Sequence, residues 1–363
     1  DERPGCFSWW RTKIFNDQSI FRSNQQKPTK QIKLNLQHPI KNILIINAGG
    51  GIGDAIQFIK IFELINQEFE NPTIDYYGND LNNFWFDNKL SSLKAGNVQT
   101  VKNFPLYFGF RFKHLFDKKI RNTKPYDLII DNQSKIRNAL IYKKIPHKYF
   151  LSFALRGVLS NPISFFQKNP HVQLRVINYL EKFLNKSLDI KDIQIKIPTE
   201  HKQEADKLID DSKRYVGFSI KAGHKTRIKE FQLIEIIKTA QHFAEKKFIP
   251  VFFIEPKYIE EINLIKKYII NAYFPEHLAS PELRNPALVI AIANKMSFNI
   301  SIDNGVMHML SLTDPKLFVF FNKSSNKFRP IKNNAFVYDC EKNKETIESL
   351  ETKKIIEFVE KNI

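Results

Sequence analysis

One acid near the front of the chain and a short turn near its rear carry the residue types of a group-transfer site. The acid is Asp54, which closes the turn Ala48-Gly49-Gly50-Gly51-Ile52-Gly53-Asp54 directly after the apolar run 43–47. The rear turn is Ser301-Ile302-Asp303-Asn304-Gly305-Val306-Met307-His308, where another apolar run, 298–302, meets a glycine and then a helix-like segment. A strand that ends in a glycine turn and a helix start presents free backbone N–H groups and a positive dipole end, whose natural guest is a phosphate. A carboxylate at a strand end facing such a cradle has the chemistry of a general base. Its plain alternative is to cap the helix that begins at Ala55. The glycine turn is not a P-loop, since it lacks the Lys-Ser/Thr ending, and its glycine spacing does not fit the dinucleotide fingerprint.

These turns need rigid strands behind them, and the periodicity supplies strands. Apolar strand-like runs at 43–47, 73–77, 127–131, 215–220, 249–254, 299–302 and 317–321 alternate with helical patterns at 55–69, 133–145, 172–185, 231–246, 258–268 and 286–294. Such alternation predicts parallel sheets with helices on both faces. A polar, proline-bearing stretch at about 191–202 interrupts the series, so two doubly wound domains in tandem are expected. The expected division is a leader at 1–39, a first Rossmann-like domain at 40–200, a second at 201–340, and a C-terminal helix within 341–363 that packs back on the first domain. Two such sheets place their strand ends around a shared cleft.

Composition narrows the partners. The 363 residues carry 56 Lys+Arg against 38 Asp+Glu, a net +18. Half of that excess lies in residues 101–150, with 12 basic and 3 acidic side chains. The balance favours a polyanionic partner, whether nucleic acid, an anionic membrane surface or a phosphorylated substrate, with a well-solvated lysine-rich surface as its plain alternative. The aromatic and basic stretch 104–116 suits an anionic lipid surface, with a core element of charged edges as its plain alternative. No nucleic-acid motif is present. A mean hydropathy of −0.36 fits a soluble protein, no apolar run nears the roughly 18 residues of a membrane span, and residues 1–10 lack a secretory signal's apolar core. Two cysteines far apart, Cys6 and Cys340, offer no zinc or disulfide framework.

Taken in order, the motifs resemble glycosyltransferase family 9, the lipopolysaccharide heptosyltransferases. The likeness rests on Gly53-Asp54, on Tyr126-Asp127-Leu128-Ile129-Ile130-Asp131-Asn132-Gln133 with Arg137 after it, on the basic element Ala222-Gly223-His224-Lys225-Thr226-Arg227-Ile228-Lys229, and on Asp303-Asn304-Gly305-Val306-Met307-His308. It covers roughly residues 40–335. Asn304 stands where the family has Ser or Thr, and the Trp-Pro of the family's basic element is absent.

The resemblance implies an α/β GT-B fold, two Rossmann-like doubly wound parallel-sheet domains facing a central cleft, and an inverting transfer of heptose or a related sugar from an ADP-sugar. In that scheme Asp54 is the general base. Lys225, Arg227, Lys229, Asp303, Asn304, Gly305, Val306 and His308 bind the donor and its phosphates. Gly51, Gly53, Asp131, Lys135 and Arg137 lie on the acceptor side. The expected acceptor is a phosphorylated glycolipid, a lipid A–core precursor, met by a cytoplasmic enzyme peripheral to the inner membrane face. No metal or other cofactor is expected, the ADP-sugar being a co-substrate. Two other readings keep the fold: a protein (autotransporter-type) heptosyltransferase and a non-catalytic polyanion binder.

Overall fold

Two sets of apolar strands build the molecule as two sheets. The computed structural model describes residues 39–47, 51–78, 85–101, 116, 118–161, 169–191, 193–221 and 230–363, all within one compact unit, Leu36–Ile363. The front sheet contains β1 (Asn42–Ile46), β2 (Thr73–Tyr77), β3 (Asn97–Thr100), β4 (Tyr126–Asp131) and β5 (His147–Ser152), in the order β3-β2-β1-β4-β5. The rear sheet contains β6 (Arg214–Ser219), β7 (Phe248–Phe252), β8 (Phe298–Ile302), β9 (Lys316–Phe321) and β10 (Ala335–Asp339), in the order β10-β9-β8-β6-β7. Every pairing in both sheets is parallel. Central strands such as β4 and β8 are buried along their whole length, which is why they read as continuous apolar runs rather than alternating ones.

Neither sheet starts at an edge. β1 leads to β2 and β3 on one side before the chain returns to β4 on the other; β6 leads to β7 before the chain crosses to β8 and outward. The reversal points are therefore β1/β4 and β6/β8, and ligands of such sheets sit beyond the carboxyl ends of those strands. Asp54 follows β1, and Asn304 follows β8.

The helices that bear on the site are α1 (Ile52–Ile56), α2 (Ile59–Glu68), α3 (Ile136–Tyr142), α4 (Val172–Leu184), α5 (Leu233–Glu245), α6 (Gly305–Leu310) and α7 (Thr352–Glu360). The single helix expected over 55–69 is two. The Gln57 carbonyl accepts from the side chain of Gln173 on α4 (2.8 Å), and Phe58 turns tightly onto the Ala55 carbonyl (3.0 Å), so the ladder breaks between α1 and α2. The C-terminal helix also differs from expectation. α7 packs on α5 and puts Ile355 and Val359 into the rear core, with Phe358 edge-on to Phe318 and Phe320. Its apolar stripe finds its partner on the rear sheet, and it does not return to the front one. Among the described residues no helix is long and apolar enough to cross a membrane.

Candidate active site

On the front side the end of β1 is held by amide side chains. Asn47 donates from Nδ2 to the Asp54 carbonyl (2.9 Å) and to the Tyr76 hydroxyl (2.9 Å), which fixes the start of α1 against β2. Asp54 is the third residue of α1 and is half-buried. Its Oδ2 accepts the Gly51 N–H (3.1 Å) while its own N–H reaches the Gly51 carbonyl (3.1 Å). The N-cap is therefore Gly51 and the helix starts at Ile52 rather than Ala55; Asp54 caps it from the third helical position by reaching back to the Gly51 N–H.

Next to β1, the loop after β4 is tied down by α4. Arg175 donates from Nε to Asn132 Oδ1 (2.8 Å) and from Nη2 to the Asn132 carbonyl (2.6 Å), and its guanidinium lies 4.5 Å from the Phe153 ring centroid. Burial lowers the Arg175 pKa to about 10. Asp131 does not line the cleft as expected. It is fully buried, accepting from Ser152 Oγ (2.7 Å) and Gln133 N–H (3.0 Å), and desolvation raises its carboxyl to about 7. Its partners lie on β5 and in its own loop, so it holds the sheet edge rather than an acceptor. Lys135 is exposed and Arg137 half-buried at the start of α3, beyond the carboxyl end of β4; Gly51 is exposed at the mouth of the β1 turn.

On the rear side Asn304 is the N-cap of α6. Its Oδ1 accepts the Met307 N–H (2.7 Å), and its Nδ2 donates to Ser219 Oγ (2.9 Å) and to the Lys221 carbonyl (2.8 Å). One side chain thus closes the helix start and ties β8 to β6 across the reversal point. With that side chain committed, the groups Asn304 and its neighbours Gly305 and Val306 offer a ligand are backbone N–H groups of the first turn. Asp303 is half-buried at the corner, its N–H on the Phe320 carbonyl (3.3 Å). Val306 is half-buried and His308 buried. Lys225, Arg227 and Lys229 lie outside the described residues.

The two halves meet through glycines. A Cβ built on Gly53 would stand 2.6 Å from His308 Cδ2 and 3.3 Å from Gly305 Cα, and a Cβ on Gly305 would stand 3.0 Å from Ile52 Cγ2. Only glycine lets the backbones approach this closely. Asp54 is the residue after Gly53, so the turn that bears the front carboxylate packs against the turn that bears the rear amides.

Two residues that the motifs did not single out also belong to the rear rim. Ser219, the last residue of β6, and Lys221, two residues further on, hold Asn304; the Lys221 ammonium pairs with Glu261 (2.5 Å) and Glu230 (3.2 Å). Burial alone would lower the Lys221 pKa, but those two carboxylates raise it above the usual lysine value. Glu276, in the short turn Pro275–Leu278, is pushed up to about 7 by desolvation and the Glu255 carboxylate. The signal for Ser219 and Lys221 was present: they sit where the predicted strand 215–220 ends, next to the reversal point. Glu276 had no sequence signal, because its environment is made by distant residues.

Comparison with known proteins follows the same lines. Residues 114–356 match the profile of Glycosyltransferase family 9 (heptosyltransferase). No curated protein matches the chain by sequence. Among solved structures, Escherichia coli heptosyltransferase WaaC with ADP is similar at a TM-score of 0.63 and 16% identity, over 89% of this chain and 100% of that one. The glycosyl transferase family 9 protein of Veillonella parvula gives 0.62 and 16%, over 89% and 97%. Escherichia coli ADP-heptose lps heptosyltransferase II gives 0.57 and 16%, over 88% and 98%. The fold is thus the expected GT-B arrangement, two parallel five-stranded sheets with helices. With two thirds of its length matched, the chain belongs to glycosyltransferase family 9 and is a glycosyltransferase.

Proposed function

We propose that this enzyme moves heptose, or a closely related sugar, from an ADP-sugar to a phosphorylated lipid A–core acceptor, with inversion at the anomeric carbon. The front half takes the acceptor and the rear half the donor. Asp54 accepts the proton of the acceptor hydroxyl as that oxygen attacks the anomeric carbon from the face opposite the diphosphate. The leaving ADP gathers negative charge, which the backbone N–H groups of Gly305 and Val306 receive together with cations from Lys225, Arg227 and Lys229. Asp303 shapes the turn, and His308 supports the sugar or its phosphate. Removing one preorganised donor of this kind typically costs about 10²–10³ in kcat. The reading needs no resident cofactor, because protein cations and amides balance the diphosphate charge.

The observation that carries the reading is the approach of Gly53 to Gly305 and His308, which sets the Asp54 turn against the amide turn. Support for the donor comes from the neighbours whose structures hold ADP or ADP-2-deoxy-2-fluoro heptose. Support for a lipid-borne acceptor comes from the basic excess in residues 101–150, which suits a peripheral enzyme on the anionic inner face of the cytoplasmic membrane.

The test is incubation of purified protein with ADP-heptose and a deacylated, phosphorylated inner-core acceptor. Stoichiometric ADP release and a product whose anomeric configuration is opposite to the donor's, read by NMR, is the expected result. Retention of configuration, or transfer from UDP-sugars alone, would overturn the donor and mechanism.

A further inference from the structure

The front half carries an apolar surface. Ile136 and Leu140, one turn apart on α3, and Leu155 and Val158, in the turn after β5, are each between 40% and 51% exposed. α3 packs directly against the turn Ala154–Gly157, and Lys143 Nζ reaches the Leu159 carbonyl (3.1 Å), so the two pairs form neighbouring parts of one surface. Exposed apolar side chains scattered singly are ordinary; four gathered on one face are not. Phe116, part of the aromatic stretch read from the sequence, is 83% exposed, with Lys144 Nζ 5.5 Å from its ring.

The backbone works to keep this surface outward. Leu155 and Arg156 both adopt left-handed conformations, with φ of 49° and 55°, and Gly157 follows with φ 102°. Two consecutive non-glycine residues in that region are strained, and a leucine gains no local hydrogen bond there as Asn or Asp would. The turn is nonetheless fixed: Ala154 N–H donates to Ser152 Oγ (3.2 Å) and Arg156 N–H to the Phe153 carbonyl (3.0 Å). Core packing leaves nearly half of the Leu155 side chain uncovered.

Charge states what kind of partner fits. From residue 132 to residue 180 the sequence holds no Asp or Glu, while it carries Lys135, Lys143 and Arg156, all exposed around the apolar patch. Apolar side chains with exposed cations beside them match the boundary between headgroups and acyl chains of an anionic bilayer. The place is also telling. α3 begins beyond the carboxyl end of β4 and the Leu155 turn beyond that of β5, the same sheet edge from which the Asp54 turn leaves β1.

We propose that Ile136, Leu140, Leu155 and Val158 form the surface by which this enzyme docks on an anionic lipid bilayer, setting the Asp54 turn toward the membrane. The proposal deepens the membrane side of the function proposed above and rests on it. Its own test is direct: co-sedimentation of the full chain with vesicles containing about 30% phosphatidylglycerol, against neutral phosphatidylcholine vesicles, at low and high salt. Wild type should bind the anionic vesicles, bind the neutral ones poorly, and lose most binding at about 0.5 M salt. Leu155→Asn/Val158→Ser should lower the partition about tenfold or more, and Asn suits the left-handed position, so the fold is kept. Leu140→Gln, on the exposed face of α3, serves as an independent variant and should lower it severalfold. Binding of these variants at the wild-type level, equal wild-type binding to neutral vesicles, or capture of heparin through the patch without vesicle binding would each overturn the proposal. A thermal shift with ADP keeps the two ideas apart: vesicle binding without any ADP response sinks the transferase donor and leaves the docking surface standing, and the reverse pattern sinks the surface alone.

Discussion

Gly53 shows how one missing side chain sets how closely the two turns approach. A methyl group there would press on the His308 ring at 2.6 Å and on the Gly305 backbone, so either His308 rotates away or the two turns separate. Displacements of about 1 Å at reacting groups cost about 10² in rate. Gly53→Ala should therefore lower kcat/KM by about 10², measured by ADP release, and, as an overpacked contact, cost about 1–3 kcal/mol of stability; activity within about twofold of wild type would show that the close approach has no kinetic role. At this scale the sequence was informative where chemistry is local. Gly53-Asp54 and Asn304-Gly305 announce a turn and a cap by residue type alone. Asp131 was misread because its burial comes from Ser152, on the next strand, a neighbour that no local pattern names.

At the scale of elements, Asn304 couples a helix start to a sheet. Its Oδ1 caps α6 and its Nδ2 spans to β6. Losing an N-cap acceptor typically costs about 1 kcal/mol, up to about 2. Asn304→Ala should destabilise by about 1–2 kcal/mol in denaturant unfolding and weaken ADP binding. Asn304→Asp keeps the cap acceptor but sets a carboxylate oxygen against the Lys221 carbonyl in place of the donated hydrogen bond, so it should also lose stability and bind ADP more weakly. Equal ADP affinity in both variants and wild type would mean that the α6 turn takes no part in donor binding. The buried central strands were legible because parallel strands covered on both faces must be apolar throughout. The edge strands β3 and β10 and the outer strand β5 were not, since polar or half-exposed positions break the run. The break between α1 and α2 was likewise hidden, because its cause is a side chain from α4.

Across the whole molecule, one histidine ties α4 to the segment before β10. His171 caps α4 through Nδ1, which accepts the Gln173 (3.2 Å) and Leu174 (3.4 Å) N–H groups, and its Nε2–H donates to the Arg329 carbonyl (2.8 Å). That arrangement requires the neutral ring. Burial first, and then the nearby Arg329 and Arg175 charges, hold its pKa below the ordinary value of 6.5. A histidine with a depressed folded pKa contributes stability that is complete above its unfolded pKa and fades as pH falls below it. The stability lost on His171→Gln should thus be largest near pH 7.5 and shrink toward about pH 5.5, measured as the difference between wild-type and variant unfolding free energies. A difference that stays flat or grows on acidification would refute the neutral clasp. The two-sheet architecture itself was readable from strand–helix alternation and the polar break near residue 200, whereas the seat of the last helix was not, because an amphipathic stripe does not say which sheet it covers.

The most direct measurement of the central claim is the single-turnover transfer rate of Asp54→Asn beside its affinity for ADP. With Asp54 as the base opposite the rear amide turn, the rate should fall by about 10²–10⁴, with ADP affinity within about threefold of wild type. A variant that transfers sugar within about tenfold of the wild-type rate would remove Asp54 from the chemistry and contradict the account.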